Sequence, residues 1–384
     1  MKEEYTREIP FGDLGIIALK SSDKLGENLD QCLVTKRKKM SARKDNGIRK
    51  AQDSYLIEFK NPRFANGEAK LTLQETVRGK DVYIIADIGN HGCSYEMFGQ
   101  ETPMGPDEHY QDIKRAISAI KGNARRISVI MPMLYASRQH KRKGRESLDC
   151  AMALKELNTL GVENIITFDA HDSRVENAVP FSFENLYPTY EIIEKLLEVE
   201  SGLEPDEDNM LVISPDTGAM DRALYYAEAL KLDVGLFYKR RDQTTIIDGR
   251  NPIVKHEYMG GELAGKDVLI VDDMISSGES IMELAEELKK REVRNIYVAV
   301  TFALFTEGIK KVGDFHERGL IDNILATNLT YIPPEVEEKD WFTPVDMSDF
   351  MATLINRLNF DRPISPMFDA TEKIGQLMEE RFDG

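Results

Sequence analysis

The residues with the clearest chemical potential lie at 268–280, with the sequence VLIVDDMISSGES. An aliphatic run predicts a buried strand, and two carboxylates, Asp272 and Asp273, follow it directly. In open α/β sheets ligands bind at the carboxyl ends of the strands, so both acids are candidate ligand contacts. The hydroxyl- and glycine-rich residues 276–280 then open a helix predicted over about 281–291. Free backbone N–H groups and the positive end of the helix dipole suit a phosphate at that point.

Carboxylates beside a phosphate cradle favour a ligand that carries both hydroxyl groups and a phosphate, which describes a sugar phosphate. The same residue types also occur at an ordinary strand end followed by an N-capped helix, and a lone Asp-Asp pair would favour that interpretation. The complete order of strand, paired acids, Ser-Gly-x-Ser and helix favours the ligand site. Its candidate contacts are Asp272, Asp273, Ser276, Ser277, Gly278, Glu279 and Ser280.

Two further polar clusters follow predicted strands and could bind a metal ion. His171, in Asp169-Ala-His171, can bind a metal or accept a proton, although a histidine in such a place is more often structural. Asp216, after Ser214-Pro215, could reach Mg²⁺ or a hydroxyl group, although on its own it forms a turn as often as a ligand site. Neither cluster decides a function by itself.

Two cationic clusters are candidate phosphate contacts. Lys239, Arg240 and Arg241 follow a predicted strand and precede a Gln-Thr-Thr segment, which predicts a mobile arm. Such an arm could close over a transferring phosphoryl group and neutralise its developing charge. The stretch at 138–145, RQHKRKGR, is a candidate polyphosphate site because cations are so dense there in an acidic chain.

Composition limits the class of protein. The chain has 384 residues, of which 41% are hydrophobic, so two domains with sizeable cores are expected. It contains no run of about 18 apolar residues and its first residues are charged, so neither a membrane span nor a signal peptide is predicted. The formal net charge of -17 argues against nucleic acid or an anionic membrane as the main partner. Three widely spaced cysteines form no metal pattern and fit a reducing cytoplasm.

Strand-like apolar runs alternate with amphipathic helical stretches along the chain, which is typical of α/β folds. A break between two similar halves is expected near Pro188. Residues 36–52 are polar and basic, and we interpret them as a mobile insertion. The predicted strands are 82–85, 127–131, 164–168, 210–213, 234–237, 268–271 and 296–304. The predicted helices are 109–121, 148–160, 186–199, 221–230 and the one that follows residue 280.

The chain resembles the ribose-phosphate diphosphokinase (PRPP synthetase) family, whose domains have the phosphoribosyltransferase fold. The likeness runs from about residue 15 to residue 368, with insertions at 36–52 and 90–107. Seven motifs occur in the family's order, so coincidence is a poor explanation. They are Arg63–Glu68, 75–85, Arg138-Gln139, Asp169–His171, Ser214–Asp216, Lys239 with Arg241, and Asp272–Ser280.

The resemblance implies an α/β fold of two tandem phosphoribosyltransferase-like domains, each a mainly parallel sheet flanked by helices. Residues 10–187 would form the ATP side and residues 188–345 the ribose 5-phosphate side, followed by a C-terminal helix and tail at 346–384. The implied reaction moves the diphosphoryl group of ATP to the C1 hydroxyl of ribose 5-phosphate, giving PRPP and AMP. The implied assembly is a homo-oligomer, either a dimer or a hexamer, and the implied cofactor is Mg²⁺.

Residue roles follow from the same resemblance. Lys239 and Arg241 would be catalytic, and His171 and Asp216 would hold Mg²⁺. Asp216 would also bind ribose 5-phosphate together with Asp272 and Asp273 and the loop that follows them. The implied ATP contacts are Phe64, Asn66, Glu68, Arg138, Gln139 and His171.

The chain departs from the family pattern at several positions. Asn66 stands where the family usually has Asp, which leaves the nucleotide preference open. His140 stands where an Asp usually follows Arg-Gln. The phosphate loop is closer to that of ordinary phosphoribosyltransferases, and Glu279 adds a negative charge near it. Two alternatives therefore remain: a non-catalytic regulatory relative, which would be expected to lack Lys239 and Arg241, and a phosphoribosyltransferase that consumes PRPP.

Overall fold

The computed structural model describes residues 9–43, 51–142, 144–241 and 253–382. The chain divides into two compact units. Each unit contains one large, mainly parallel sheet with helices in its crossovers, so the predicted α/β fold is confirmed. Unit 1 comprises Met1–Tyr187, Asn328–Tyr331 and Asp346–Phe368, and unit 2 comprises Pro188–Thr327, Ile332–Val345 and Asp369–Gly384.

The elements are numbered in chain order over the described residues. The strands are β1 (Asp13–Ala18), β2 (Phe59–Lys60), β3 (Thr72–Leu73), β4 (Lys80–Ile85), β5 (Ser94–Met97), β6 (Gln100–Pro103), β7 (Arg126–Ile130), β8 (Asn164–Phe168), β9 (Ser182–Leu186), β10 (Met210–Ser214), β11 (Asp233–Arg241), β12 (Ile253–Met259), β13 (Asp267–Ile275), β14 (Ile296–Ala303), β15 (Asn323–Thr327) and β16 (Phe342–Val345). The α-helices are α1 (Asp23–Arg43), α2 (Pro106–Ile120), α3 (Asp149–Thr159), α4 (Thr189–Val199), α5 (Met220–Leu230), α6 (Glu279–Lys289), α7 (Lys310–Glu317), α8 (Pro334–Glu337), α9 (Ser348–Asn359) and α10 (Thr371–Phe382).

The sheet of unit 1 has five parallel strands in the order β1-β4-β7-β8-β9. Strands β4, β7 and β8 are buried at every residue after the first, as expected for parallel strands that helices cover on both faces. Because the strands are parallel, the residues that follow β7 and those that follow β8 emerge at the same edge of the sheet.

The sheet of unit 2 has seven strands in the order β12-β11-β10-β13-β14-β15-β16, all parallel except β12. From β10 the chain first moves to β11 on one side and later to β13 on the other side. The boundary between β10 and β13 is therefore a topological switch point, where connecting segments leave a crevice at the carboxyl edge. Among the helices that the structure describes, none combines the length and apolar character needed to cross a lipid bilayer.

The long apolar elements predicted from the sequence are present. All seven predicted strands and all five predicted helices occur, with ends shifted by a few residues. Strand β13 is longer than predicted and continues through Ile275, so Asp272 and Asp273 lie inside the strand and not after it. Strand β11 likewise continues to Arg241, so the cationic cluster at 239–241 belongs to a strand.

The prediction of a mobile insertion at 36–52 is wrong for residues 36–43, because these residues form the C-terminal part of α1. Polar contacts anchor this part to α9: Arg37 donates to Asn356 Oδ1 at 3.1 Å and to Asn359 Oδ1 at 2.6 Å. A sequence with few apolar residues is still held in place because its basic side chains meet polar partners from a distant helix. Residues 44–50 lie outside the described residues.

The other segments without a family counterpart also have defined structure. The insertion at 90–107 contains the antiparallel hairpin β5–β6 and the start of α2. The segment at 346–384 contains α9 in unit 1 and α10 in unit 2. Helix α10 packs on α4 and α5, and the Ala370 N–H that precedes it donates to Tyr225 Oη at 2.8 Å.

Asp87, just after β4, is a buried carboxyl group inside unit 1. It accepts hydrogen bonds from the Tyr331 N–H at 2.7 Å, the Gly89 N–H at 2.8 Å and the Thr330 hydroxyl at 3.1 Å. Burial raises the pKa of Asp87 to about 7, although these hydrogen bonds oppose the rise. The carboxyl group therefore ties the late segment 328–331 to the first half of the chain.

We expect part of the stability of the protein to be lost as the pH rises through about 7. A carboxyl group whose pKa is raised by folding contributes its stability fully below the unfolded pKa and loses it as the pH passes the folded pKa. For a rise from 3.8 to about 7, the loss between pH 6 and pH 8 is about 1 kcal/mol. Asp87→Asn should lack this component, and its denaturant midpoint should be lower at both pH values because the amide nitrogen cannot accept from Tyr331.

The measurement is denaturant unfolding of wild type and variant at pH 6 and pH 8. Asp53→Asn is the matched control, because the Asp53 side chain is almost fully exposed and its loss should not change the pH dependence. A pH dependence in Asp87→Asn equal to that of wild type would contradict the assignment to Asp87.

Candidate functional site

In unit 1 the predicted nucleotide contacts Arg138, Gln139 and His171 lie at one edge of the sheet. Arg138 and Gln139 occupy a short 3-10 turn, Ser137–Gln139, that follows β7. His171 follows β8, the neighbouring parallel strand. All three residues are exposed. The structure therefore brings these residues to one surface through strand order alone.

His140 links the two segments of this edge. Its ring lies 5.6 Å from the ring of His171, its Nδ1 is 3.1 Å from the Ser137 carbonyl oxygen, and its Nε2 is 3.1 Å from Asp172 Oδ2. Hydrogen bonds from the Arg174 side chain lower the pKa of Asp172 to about 2, so this carboxylate is charged at neutral pH. Asp172 and Arg174 were not predicted from the sequence, although both stand within three residues of His171.

Phe64, Asn66 and Glu68 occupy a tight loop between Arg63 and Ala69, which form a β-bridge. The Phe64 N–H donates to the Glu68 carbonyl at 2.7 Å, and the Gly67 N–H donates to the Phe64 carbonyl at 2.8 Å. All three predicted side chains are exposed, and 46% of the Phe64 surface is accessible. The loop thus presents an aromatic ring and two polar side chains together.

Asn66 and Glu68 are joined within this loop. Asn66 Nδ2 donates to Glu68 Oε2 at 3.1 Å, and the Glu68 N–H donates to Asn66 Oδ1 at 3.2 Å. An Asp at position 66 would replace the Nδ2 donor by a second carboxylate oxygen facing Glu68. Asn66 therefore supplies Glu68 with a donor that an Asp side chain could not supply.

In unit 2 the predicted sugar-phosphate contacts flank the switch point between β10 and β13. Asp216 is exposed and follows β10, where its Oδ1 accepts from the Gly218 N–H at 2.7 Å and the Ala219 N–H at 3.2 Å. These bonds fix the turn into α5. Asp216 therefore forms the turn that was expected as the alternative to a ligand site, and it stands at the edge where ligands bind in such sheets.

The two acids of β13 differ in accessibility. Successive side chains of a strand point to opposite faces, and Asp273 is buried whereas 27% of the Asp272 side chain is exposed. Burial and the neighbouring Asp273 raise the pKa of Asp272, and the guanidinium of Arg222, 3.7 Å from Asp272 Oδ1, opposes the rise. Arg222 was missed in the sequence. Its signal was a cation in the first turn of the helix that follows Asp216.

The loop after β13 leads directly into the N-terminus of α6. Gly278 has φ 83° and caps the N-terminus of α6, which begins at Glu279. The Glu279 N–H reaches Ser277 Oγ at 3.4 Å, and the Glu279 and Ser280 side chains are exposed. Ser276 is held from behind, because the Thr306 N–H donates to its carbonyl at 2.9 Å. The exposed Glu279 side chain does not cover the backbone amides of the loop.

The predicted catalytic residues Lys239 and Arg241 lie in the part of β11 that pairs with β12. Lys239 is opposite His256, and the register shifts between Arg240 and Arg241. The sequence placed Lys239 and Arg241 after the strand, whereas in the structure both residues belong to β11 and pair with β12. The Gln-Thr-Thr segment lies outside the described residues, and for Lys239 and Arg241 only the backbone is described.

Comparison with known families decides the class of protein. A family model described as the N-terminal domain of ribose phosphate pyrophosphokinase matches residues 14–161, and a phosphoribosyl transferase domain matches residues 183–326. The chain belongs to the ribose-phosphate pyrophosphokinase family. The resemblance noted in the sequence is thereby confirmed.

Known members of the ribose-phosphate pyrophosphokinase family match most of the chain at moderate identity. The protein of that name from Vibrio parahaemolyticus is 27% identical over 311 residues, which is 80% of this chain and 90% of the relative. Its namesake from Haemophilus ducreyi is 26% identical over 312 residues, again 80% of this chain and 90% of the relative. The crystal structure of phosphoribosylpyrophosphate synthetase from Mycobacterium smegmatis shares the fold, with a TM-score of 0.71, 20% identity, and coverage of 90% of this chain and 98% of that chain.

Replacing Gly278 by Ala should lower the affinity for a sugar phosphate, and it should lower the stability of the protein by a smaller free energy. A side chain at φ 83° is strained by about 1 kcal/mol, and relief of that strain would turn the loop amides away from a phosphate. We expect the KM for ribose 5-phosphate to rise by about tenfold. The dissociation constant measured by calorimetry should rise by the same factor.

Gly265→Ala is the matched control for this variant. Gly265 also has a left-handed backbone, at φ 76°, with no atom within 4 Å of an added Cβ, and it precedes β13 at the opposite edge of the sheet. It should show similar destabilisation with an unchanged KM. Equal KM values for the two variants would argue against the loop as the phosphate site.

Proposed function

We propose that this chain is a ribose-phosphate diphosphokinase, which converts ATP and ribose 5-phosphate into PRPP and AMP. The observation that carries the proposal is that unit 1 accompanies the phosphoribosyltransferase-type unit 2. A phosphoribosyltransferase that only consumes PRPP has no need of a second unit of the kind found in pyrophosphokinases. The relatives that match about four-fifths of the chain carry the pyrophosphokinase name, which supports the same activity.

The two substrates are assigned to different units. In unit 2, Asp272 and Asp273 would orient the ribose through its hydroxyl groups, and the loop at 276–280 would hold the 5-phosphate through backbone N–H groups. In unit 1, Arg138 and Gln139 would bind the triphosphate, while Phe64, Asn66 and Glu68 would contact the adenine. We therefore assign residues 10–187 to ATP and residues 188–345 to ribose 5-phosphate.

The chemistry is a displacement at the β-phosphorus of ATP. The C1 hydroxyl of ribose 5-phosphate releases its proton to solvent and its oxygen bonds to the β-phosphorus. The bond from that phosphorus to the oxygen bridging to the α-phosphorus breaks, and AMP leaves. Positioning and charge neutralisation dominate the catalysis of such transfers. Lys239 and Arg241 would neutralise the charge that develops on the transferring group.

Mg²⁺ would bind together with the nucleotide. In the described residues no three His, Cys, Asp or Glu side chains come together as a metal site. Mg²⁺ needs only one or two protein ligands when substrate phosphates and water supply the others. Asp216 fits as an oxygen ligand, and the exposed imidazole of His171 fits as a contact to metal-bound water or to the triphosphate. The ion would supply charge neutralisation of the phosphates.

Composition and family likeness suggest the partners, the location and the assembly of the protein. We propose that the protein acts on free small molecules, without nucleic acid or membrane partners, as its charge of -17 suggests. Cys32, Cys93 and Cys150 are free thiols, two of them buried, which fits the cytoplasm. By family likeness we propose a homo-oligomer, a dimer or a hexamer.

A phosphorus NMR time course with ATP, ribose 5-phosphate and Mg²⁺ tests the activity. We expect the ATP signals to be replaced by those of AMP and of a new diphosphate linked to the sugar. If ATP stays intact over several divalent ions while nucleotide binding is measurable, the chain is a regulatory relative. If added PRPP is consumed with a free base instead, it is a phosphoribosyltransferase.

Lys239→Ala should reduce kcat by roughly a hundred- to several-thousand-fold, which is the usual cost of removing a charge that stabilises a transition state. ATP binding, measured by calorimetry, should change by less than about threefold. Lys290→Ala is the matched control, because Lys290 is 70% exposed and lies at the far end of α6. A Lys239→Ala enzyme with more than half of wild-type kcat would remove Lys239 from the catalytic role.

A further inference from the structure

The hairpin β5–β6 ends in a turn that places an aromatic ring in solvent. Met97 pairs with Gln100, so Phe98 and Gly99 form a two-residue turn, and their φ values of 50° and 74° are both positive. This is a type I′ turn, in which Asn-Gly is the favoured pair and a bulky first residue is disfavoured. The Phe98 side chain is 78% accessible, more than any other large hydrophobic side chain that the structure describes.

The hairpin packs against the loop at 63–69 that carries the predicted adenine contacts. The Phe98 N–H donates to the Ala65 carbonyl at 2.9 Å, so the backbones of the two turns meet beside Phe64. Gly67 allows the approach, because a Cβ there would lie 2.8 Å from Met97 Sδ. The guanidinium of Arg63 lies 5.1 Å from the centre of the Tyr95 ring.

A third element holds both turns in place. Arg63 Nη2 donates to Asp112 Oδ2 of α2 at 2.7 Å, and the Asp112 carboxylate is buried and also accepts from Arg115 at 2.6 Å. The loop and the hairpin are therefore fixed to the same helix. Phe64 and Phe98 are presented by one packed substructure within unit 1.

The charges around Phe98 select the kind of group that could contact it. Glu96 and Glu101 lie opposite each other on the hairpin and both are exposed, and Glu68 is exposed on the neighbouring loop. Three carboxylates repel a triphosphate but tolerate a neutral heterocyclic ring. Exposed aromatic side chains offer flat faces on which nucleobases stack.

We propose that Phe98 is a second aromatic contact for the purine ring of ATP, beside Phe64, and that the β5–β6 hairpin is an added part of the nucleotide site. The inference rests on the proposed function, because it takes ATP as a substrate. It gives the insertion at 90–107 a role in positioning the base. Phe98 has no part in the bond changes at the β-phosphorus.

Phe98→Asn tests the proposal without harming the turn. Asn is at ease in the left-handed conformation and precedes Gly99, so the hairpin should form at least as well as in wild type. We expect the KM for ATP to rise about 5- to 30-fold, since stacking on one aromatic side chain contributes that much to binding of a base. The kcat and the KM for ribose 5-phosphate should stay within about twofold of wild type.

Three comparisons make the result specific. Phe98→Trp should keep the wild-type KM for ATP, because a ring is retained. Met152→Ala removes another exposed apolar side chain of unit 1, 62% accessible on α3, and should change nothing. Inorganic tripolyphosphate, which lacks a base, should inhibit Phe98→Asn and wild type with the same constant.

An unchanged KM for ATP in Phe98→Asn would overturn the proposal. An equal loss of tripolyphosphate binding would also overturn it, because the effect would not concern the base. A changed oligomer mass in Phe98→Asn would assign the ring to a contact between copies of the chain instead. If wild type makes no PRPP, calorimetry with ATP decides the question separately: weaker binding to Phe98→Asn supports the base contact even though the proposed reaction fails.

Discussion

Strand β10 is the element on which the arrangement of unit 2 depends. It lies between β11 on one side and β13 on the other, and all three strands are parallel. Their carboxyl ends must then share one edge, and the helices that follow must diverge from it. Asp216 and the acids of β13 are neighbours for this reason, although more than fifty residues separate them in the chain. The carboxylates and the N-terminus of α6 come to one edge only through that topology.

At this edge of the sheet, negative charge from carboxylates is partly offset by a nearby guanidinium. Asp272 stands beside Asp273, and burial together with this neighbour raises the pKa of Asp272. Arg222 opposes this rise from the first turn of α5, which lies across the switch point. A bound ribose would add hydroxyl donors to the same carboxylates, so a ligand with several hydroxyl groups and a phosphate fits the charge pattern. Unit 1 shows a parallel balance, where Asp172 stands between His140 and Arg174.

The sequence predicted those features whose physical cause is local. Strands such as β14 are continuous aliphatic runs, and the loop after β13 follows from glycine and hydroxyl types at fixed spacing. Elements without such a signal were not predicted: β9 has polar residues at three of its five positions, and β16 contains a proline at the edge of its sheet. The same limit applied to the site. Arg222 near Asp272, and Phe98 on the loop of Asn66, are pairings between distant segments that composition and periodicity do not encode.

The late segments of unit 1 carry a consequence for how the protein is made. Asp87 accepts a hydrogen bond from the Tyr331 N–H, which is synthesised much later. The buried Asp81 binds Arg126 and also accepts from Asn359 at 2.8 Å. Until translation passes residue 359, the N-terminal unit holds two buried carboxylates without part of their partners, and such groups are costly. Domains usually fold in order as they leave the ribosome. Here the first unit to be synthesised can be completed only when nearly the whole chain has emerged.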